Sequence, residues 1–355
     1  MYQPPIHPIV EPPLLSSEPF GVDELNPFKL KVLNMQALFN RELSKLEMRQ
    51  LNKLKMVDDY LWERSQEGGI TTGFKQLDEA LDGDISAGLY LIAAAPNVGK
   101  SMIMLQLTDQ IVKLNENVHV AYHALDDTTK DLVPRFIATH EGITISQAKN
   151  PARYQDQPDV LEKRNNAFKF MYSNVNKLSL WDAEEGSNLT ELEQHIRDLR
   201  MEYGEKKRLI LIFDSIYDIQ AVFAQNDKQA YEEVAKTVKS WCGLYDVAIF
   251  ATAHLKKNGG RRPINEDLKE NNRLEFEANF IGLLYNEVGL KEEEANIYWL
   301  HDDREEKLPV IEMRVAKNKF GSFKGTLFFE FFPDLSTAFE VSKENARRYI
   351  NQMGA

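Results

Sequence analysis

Residues Leu89 to Leu107, LYLIAAAPNVGKSMIMLQL, constrain this chain more than any other stretch. An apolar run breaks into a turn, meets Gly-Lys-Ser and resumes as an apolar-periodic segment, which predicts a buried strand, a loop and a helix. Such a loop wraps a polyphosphate with backbone N–H groups, and the pattern assigns Ala95, Pro96, Asn97, Val98 and Gly99 to the wrap. Gly99 leaves room for close approach, Lys100 neutralises phosphate charge, and Ser101 has the hydroxyl to hold Mg²⁺. The helix from about Ser101 then points its positive end at the anion. Ala94 stands at the first position of the G-x-x-x-x-G-K-[ST] pattern, so any turn there is one that alanine adopts. The bland alternative is a buried strand-turn-helix with a fortuitous lysine.

Two further apolar runs end in carboxylates. Asn117 to Leu125 leads into Asp126-Asp127, and KKRLILIFD ends in Asp214. Carboxyl ends of strands beside a phosphate loop are where open α/β sheets place working groups. Asp126 either orients and deprotonates an attacking water or caps the helix expected from about Thr128. Asp214 suits a Mg²⁺ site, acting through water. A third strand, DVAIFATAHLKK, ends in His254, placed to sense a γ-phosphate or to serve the structure only.

The segment after His254, HLKKNGGRRPINEDLKENNR, carries Lys256, Lys257, Arg261, Arg262, Lys269 and Arg273 and is net +3. The whole chain is the reverse, with 43 basic against 55 acidic residues and a net charge of −12, which excludes a surface coated for nucleic acid but not a local basic loop. Gly259-Gly260 and a shortage of apolar residues predict a mobile loop able to grip a polyanion, unless it is a solvated charge run.

The rest of the chain frames these segments. Residues 1 to about 22 are proline-rich and predict an extended arm. Phe28, Val32, Met35, Phe39, Leu43, Leu46, Leu51, Leu54, Val57 and Leu61 recur in steps of mostly three and four, which predicts one or two amphipathic helices that dock on the chain's own domain or on a neighbouring subunit. Helices are expected over 128 to 205, with a short strand at Leu178 to Trp181, and over Asp227 to Tyr245. FIGLLY predicts a strand, Asn286 to Lys307 a surface excursion with a hairpin, and IEMRVAKNKFGSFKGTLFFEFF two antiparallel strands, with Lys317 and Lys319 at the tip side of the first. The domain boundaries expected are 1–66 for arm and linker helix, 67–345 for the nucleotide-binding domain, and 346–355 for a tail. No apolar run approaches a membrane span, no secretory signal is seen, and the single cysteine, Cys242, fits a reducing cytoplasm.

From TTGFKQLDEAL through AAPNVGKS, ALDD, LILIFD, ATAHLKKN, RRPINEDLKENN and AKNKFGSFKG, the order of segments resembles the RecA-like ATPase domain of DnaB-type hexameric replicative helicases, including phage primase-helicases. The resemblance implies an α/β fold, a RecA-like P-loop NTPase with a mostly parallel sheet flanked by helices. It implies ATP or another NTP or dNTP with Mg²⁺, single-stranded DNA, a homo-hexamer or other ring, and a primase, polymerase or loader as partner. By the same resemblance Lys100 and Ser101 hold phosphate and Mg²⁺, Asp214 is the Walker B acid, and Asp126 falls where the family has its catalytic glutamate. His254 matches the phosphate sensor, residues 256–273 the central DNA-binding loop, and Lys317 and Lys319 the lysine and arginine finger that reach the neighbouring subunit's nucleotide. Asp126 is one methylene short of glutamate, Lys319 lacks arginine's planar fork, and Asn279 stands where aspartate is usual. No primase or zinc-binding region is present in the sequence. The expected function is a DNA-translocating helicase motor of a phage or mobile element; the alternative is a RecA- or KaiC-like regulatory or loading ATPase with slow hydrolysis.

Overall fold

The computed structural model describes residues 42–204, 207–256, 259–268, 272–301 and 306–353. It divides into two units, Met1–Gly68 and Gly69–Ala355. The proline-rich arm and the apolar positions Phe28 to Phe39 lie outside the described residues. In the first unit, helix α1 (Lys45–Glu67) starts at Ser44, whose hydroxyl accepts from the Glu47 amide while Glu47 accepts from the Ser44 amide. None of its residues is buried.

Ten strands among the described residues of the second unit form one sheet. In chain order they are β1 (Gly88–Ala94), β2 (Val118–Ala124), β3 (Leu178–Asp182), β4 (Arg208–Asp214), β5 (Val247–His254), β6 (Phe280–Asn286), β7 (Tyr298–Trp299), β8 (Leu308–Asn318), β9 (Thr326–Phe332) and β10 (Thr337–Glu340). The sheet order is β10-β9-β8-β6-β1-β5-β4-β2-β3, with β7 on β8. From β6 to β3 every neighbouring pair is parallel, and β8, β9 and β10 extend the sheet antiparallel beyond β6. The parallel strands are almost wholly buried, as strands covered on both faces must be.

Alternation divides their side chains between two cores. Tyr90, Ile92, Val120, Tyr122, Ile210 and Ile212 meet helices α2 (Lys100–Leu114) and α3 (Thr129–Glu141) through Ile103, Leu107, Ile111, Leu132 and Phe136. Leu89, Leu91, Leu209, Leu211 and Phe213 face α4 (Leu189–Tyr203) and α5 (Asp227–Leu244) through Leu192, Ile196, Val234, Val238 and Trp241. Cys242 is in this second core.

Two expectations for the C-terminal part are corrected. A third antiparallel strand, β10, follows the two expected, and Ser336 makes the turn with a left-handed φ of 50°. Residues expected as a tail from 346 belong instead to a helix, Lys343–Met353, which buries Ala346 and Tyr349 against Val310 and Phe328. Ala346, Tyr349 and Met353 recur in steps of three and four, a single short helical face, and β8 and β9 give that face a partner. No helix among the described residues is long and apolar enough to cross a membrane.

Candidate active site

The phosphate loop joins β1 to α2, with its special backbone angles at Asn97, φ 62°, and Gly99, φ 113°. Ala94 carries no turn: it remains in the strand, in register with His254, and its carbonyl accepts from Leu255 N at 3.2 Å. A glycine is therefore unnecessary at that first position. At Gly99 it is required twice over, by φ and because a Cβ would lie 3.0 Å from Ile311 Cδ1. The Lys100 ammonium folds back on its own loop, donating to Ala94 O at 3.3 Å and Ala95 O at 3.2 Å. Burial pushes its pKa below the ordinary lysine value, opposed by the charges of Asp214 and then Asp126. Ser101 opens the first turn of α2, half-buried.

Asp214 ends β4 as a buried carboxylate held by neutral donors. Tyr122 donates to Oδ2 at 2.8 Å and Thr252 to Oδ1 at 2.5 Å. Among the described residues no lysine, arginine or histidine forms an ion pair with it within 4 Å. A carboxylate fixed by two hydroxyls keeps its negative charge and spare lone pairs for a hydrated cation, so the donor set fits Mg²⁺. Tyr122 and Thr252 escape a reading based on charged motifs; the available signal is a hydroxyl inside an otherwise apolar strand, which needs a buried partner. Burial, then the Asp214 charge, pushes the Tyr122 phenol well above its ordinary value, so it stays a donor.

Asp126 follows β2 with its side chain exposed, and its amide donates to Asp214 O at 3.2 Å. It does not cap the following helix. Asp182 accepts there from Thr129 N at 3.0 Å and Thr129 Oγ1 at 3.0 Å. His254 ends β5 beside the loop, its ring stacked with Tyr217 at 6.0 Å.

The basic segment differs from the mobile loop expected. Leu255 bridges Leu268 antiparallel, both buried, and Tyr285 OH donates to Gly260 O at 2.8 Å. Arg261 clamps Asp267 at 2.8 and 2.6 Å. Arg262 clamps the buried Glu312 at 2.7 and 2.8 Å, lies 3.6 Å from Glu287 and covers the Tyr285 ring. Arg273 pairs with Glu277 at 2.5 Å. Carboxylates distant in sequence thus supply the anchor that the segment's own composition lacks. Lys256 is exposed, and Lys257 and Lys269 lie outside the described residues. A cavity of about 320 Å³ separates this segment from the phosphate loop, with Ala95, Pro96, Val98, Lys256 and Arg261 in its lining.

Lys317 and Lys319 stand elsewhere. Antiparallel pairing puts Asn318 opposite Phe280, which in turn aligns with Tyr90 near the start of β1. The phosphate loop is at the other end of that strand, about 15–20 Å away by strand rise. The Lys317 ammonium docks on the end of the short helix Asn272–Glu277, donating to Glu275 O at 2.5 Å and Phe276 O at 3.0 Å, whereas Lys319 is exposed.

The family model for the DnaB-like helicase C terminal domain matches residues 69–340. The chain belongs to that family. The replicative DNA helicase DnaB of Geobacillus stearothermophilus is 25% identical over 260 residues, 71% of this chain and 52% of that protein. That of Helicobacter pylori is 24% identical over 313 residues, 78% and 62% respectively. The chain spans about half the length of most of the DnaB relatives it matches. The solved ATPase domain of a phage helicase aligns with a TM-score of 0.69 at 20% identity, covering 82% of this chain and 98% of that one. A DnaB-like replicative helicase, in a structure addressing its interactions with primase, gives 0.66 at 20% identity, covering 81% and 66%. These likenesses establish the RecA-like ATPase fold.

Proposed function

We propose that this DnaB-family chain is the ATP-driven motor of a ring-forming DNA helicase, a homo-hexamer or similar ring that translocates on single-stranded DNA during phage or mobile-element replication in the cytoplasm. A primase, polymerase or loader is its natural partner. The observation that carries the reading is the path of β5: His254 lies in register with Ala94 of the phosphate loop, and the chain runs directly from it into the basic segment. A change at the nucleotide therefore has a covalent route to a nucleic-acid grip.

Lys100, Ser101 and the amides of residues 95–99 hold the nucleotide phosphates, and Ser101 with Asp214 holds Mg²⁺. When bound, the ion offsets phosphate charge and orients the terminal phosphate. Asp126, at the strand end beside Asp214, takes the proton of the attacking water on its carboxylate. Lys319 is too far from its own loop to serve it and acts on the nucleotide of the next subunit, with Lys317 beside it. Lys256, Lys257 and Lys269 make the phosphate contacts to DNA, while Arg261, Arg262 and Arg273 shape the segment that carries them.

The test is ATP turnover with and without single-stranded DNA at low salt, on wild type beside Lys319→Arg and Asp126→Glu. Stimulation of several-fold in the wild type is the expected result. Near-zero turnover that DNA does not raise and neither substitution restores would replace the motor with a nucleotide-gated assembly or loading factor.

A further inference from the structure

Asn279 is the meeting point of the exposed cation Lys319 and the strand that carries the phosphate loop. Its amide donates to Leu89 O at 2.8 Å, and its side-chain Oδ1 accepts from Leu89 N at 3.1 Å, so residue 279 grips the start of β1 from both sides. The same Oδ1 accepts from Lys239 Nζ on α5. The Asn279 carbonyl in turn accepts from Lys319 N at 2.9 Å. One residue thereby ties β1, α5 and the backbone of Lys319 together.

The rest of the turn is built to the same end. Asn318 Oδ1 accepts from Phe320 N at 3.1 Å and Gly321 N at 3.2 Å, and its Nδ2 donates to Ala80 O at 2.7 Å. Phe320 stacks on Tyr90 at 4.7 Å, and Tyr90 on Phe250 at 4.4 Å. Gly88 makes the space: a Cβ there would lie 2.6 Å from Phe320 Cζ and 3.0 Å from Asn279 Oδ1. An exposed lysine needs none of this for solubility. A lysine that must meet a phosphate at a fixed place does, because its flexible stem adds uncertainty to any motion of its backbone.

We infer that Asn279 is a positioning residue for Lys319, fixing the cation that one subunit presents to its neighbour by reference to the strand holding its own phosphate loop. The inference rests on the reading of Lys319 as acting across the subunit interface. The amide suits this place because Oδ1 accepts two donors without adding a full charge to a turn where Lys317 and Lys319 already repel one another: burial first, then Lys319, lowers the Lys317 pKa.

The experiment uses full-length chains and measures ATP turnover without DNA. Asn279→Ala is expected to lower kcat roughly 10- to 100-fold with KM for ATP changed little, since the phosphate loop of the same chain is intact. Asn279→Asp keeps an acceptor of the same shape and is expected to recover most of that loss. Mixing Asn279→Ala with Lys100→Ala chains then separates the two ends of β1. The first supplies a sound phosphate loop and the second a sound Lys319, so mixed rings are expected to turn over several-fold faster than either parent. Lys319→Ala mixed with Lys100→Ala is the reference. If that reference recovers and the Asn279→Ala mixture does not, Asn279 acts on its own phosphate loop and the inference falls. If the reference itself fails, action of Lys319 across the interface falls instead. An Asn279→Ala chain that does not fold is replaced by Asn279→Ser, and the same mixture decides.

Discussion

Arg262 and Glu312 form a two-point clamp, with Nε 2.7 Å and Nη2 2.8 Å from the two carboxylate oxygens. They are fifty positions apart, and Glu312 sits on a buried strand 2% exposed. Burial raises the Glu312 pKa and Arg262 opposes the rise, the pattern of an acid dependent on its partner.

Removing that partner leaves a buried carboxylate beside a second one, Glu287, which is also 2% exposed. Arg262→Ala is therefore expected to destabilise the domain by about 2–3 kcal/mol, read as a lower denaturant midpoint, the low end because Arg262 itself is partly exposed. Its salt dependence of single-stranded DNA binding is expected to stay unchanged. Lys256→Ala is expected to do the reverse, lowering the slope of log K against log salt by about 1 with no change in midpoint. A lowered slope for Arg262→Ala would make it a phosphate contact after all.

Thr252 separates stability from chemistry at Asp214. Thr252→Val keeps the shape and removes one donor, so the fold loses little, whereas the carboxylate loses half of what orients it. Turnover is expected to fall about tenfold, by analogy with the supporting residues of metal ligands, with ATP affinity falling less and the thermal midpoint staying within a few degrees. Tyr122→Phe is expected to act in the same direction. Unchanged turnover in both, by steady-state kinetics, would show that Asp214 needs neither hydroxyl.

At Gly99 two constraints coincide, so Gly99→Ala is expected to abolish nucleotide binding in a fluorescent-nucleotide titration. The strain of φ 113° and the contact with Ile311 fall on the backbone that must face phosphate. Wild-type affinity in that variant would mean that the loop adopts another conformation when filled.

The strands and their working ends were legible because each is a short apolar run closed by a polar residue: Asp214 and His254 fall on the last residues of β4 and β5. Helix α4 was legible to the residue, from Leu189 to Tyr203. What escaped depends on long-range partners. Nothing local to RRPINED announces Glu312, so Arg262 reads as a free cation. Lys317 likewise reads as exposed until a helix end is folded against it. The register that places Lys319 at the far edge from the phosphate loop exists only once β8 has paired with β6, and Asn279, noticed as a departure from aspartate, gained a role only from its contact with Leu89.

His123 gives the pH test. It is fully buried on β2 among Trp181, His195 and Phe213, and neither ring nitrogen has a hydrogen-bond partner among the described residues. Burial, with His195 adding to it, pushes its pKa from 6.5 to about 3. Between those values the unfolded chain binds a proton that the native chain does not, so stability falls as pH drops from about 6.5 toward about 3. At pH 5 the cost is about 2 kcal/mol. His123→Leu removes the titrating group and the unpartnered nitrogens together. Its unfolding free energy, from urea titrations at pH 7 and pH 5, is expected to lose about 2 kcal/mol less across that interval than wild type. Equal losses in the two proteins would place the acid sensitivity of this domain elsewhere and would mean that His123 accepts a proton without leaving its core.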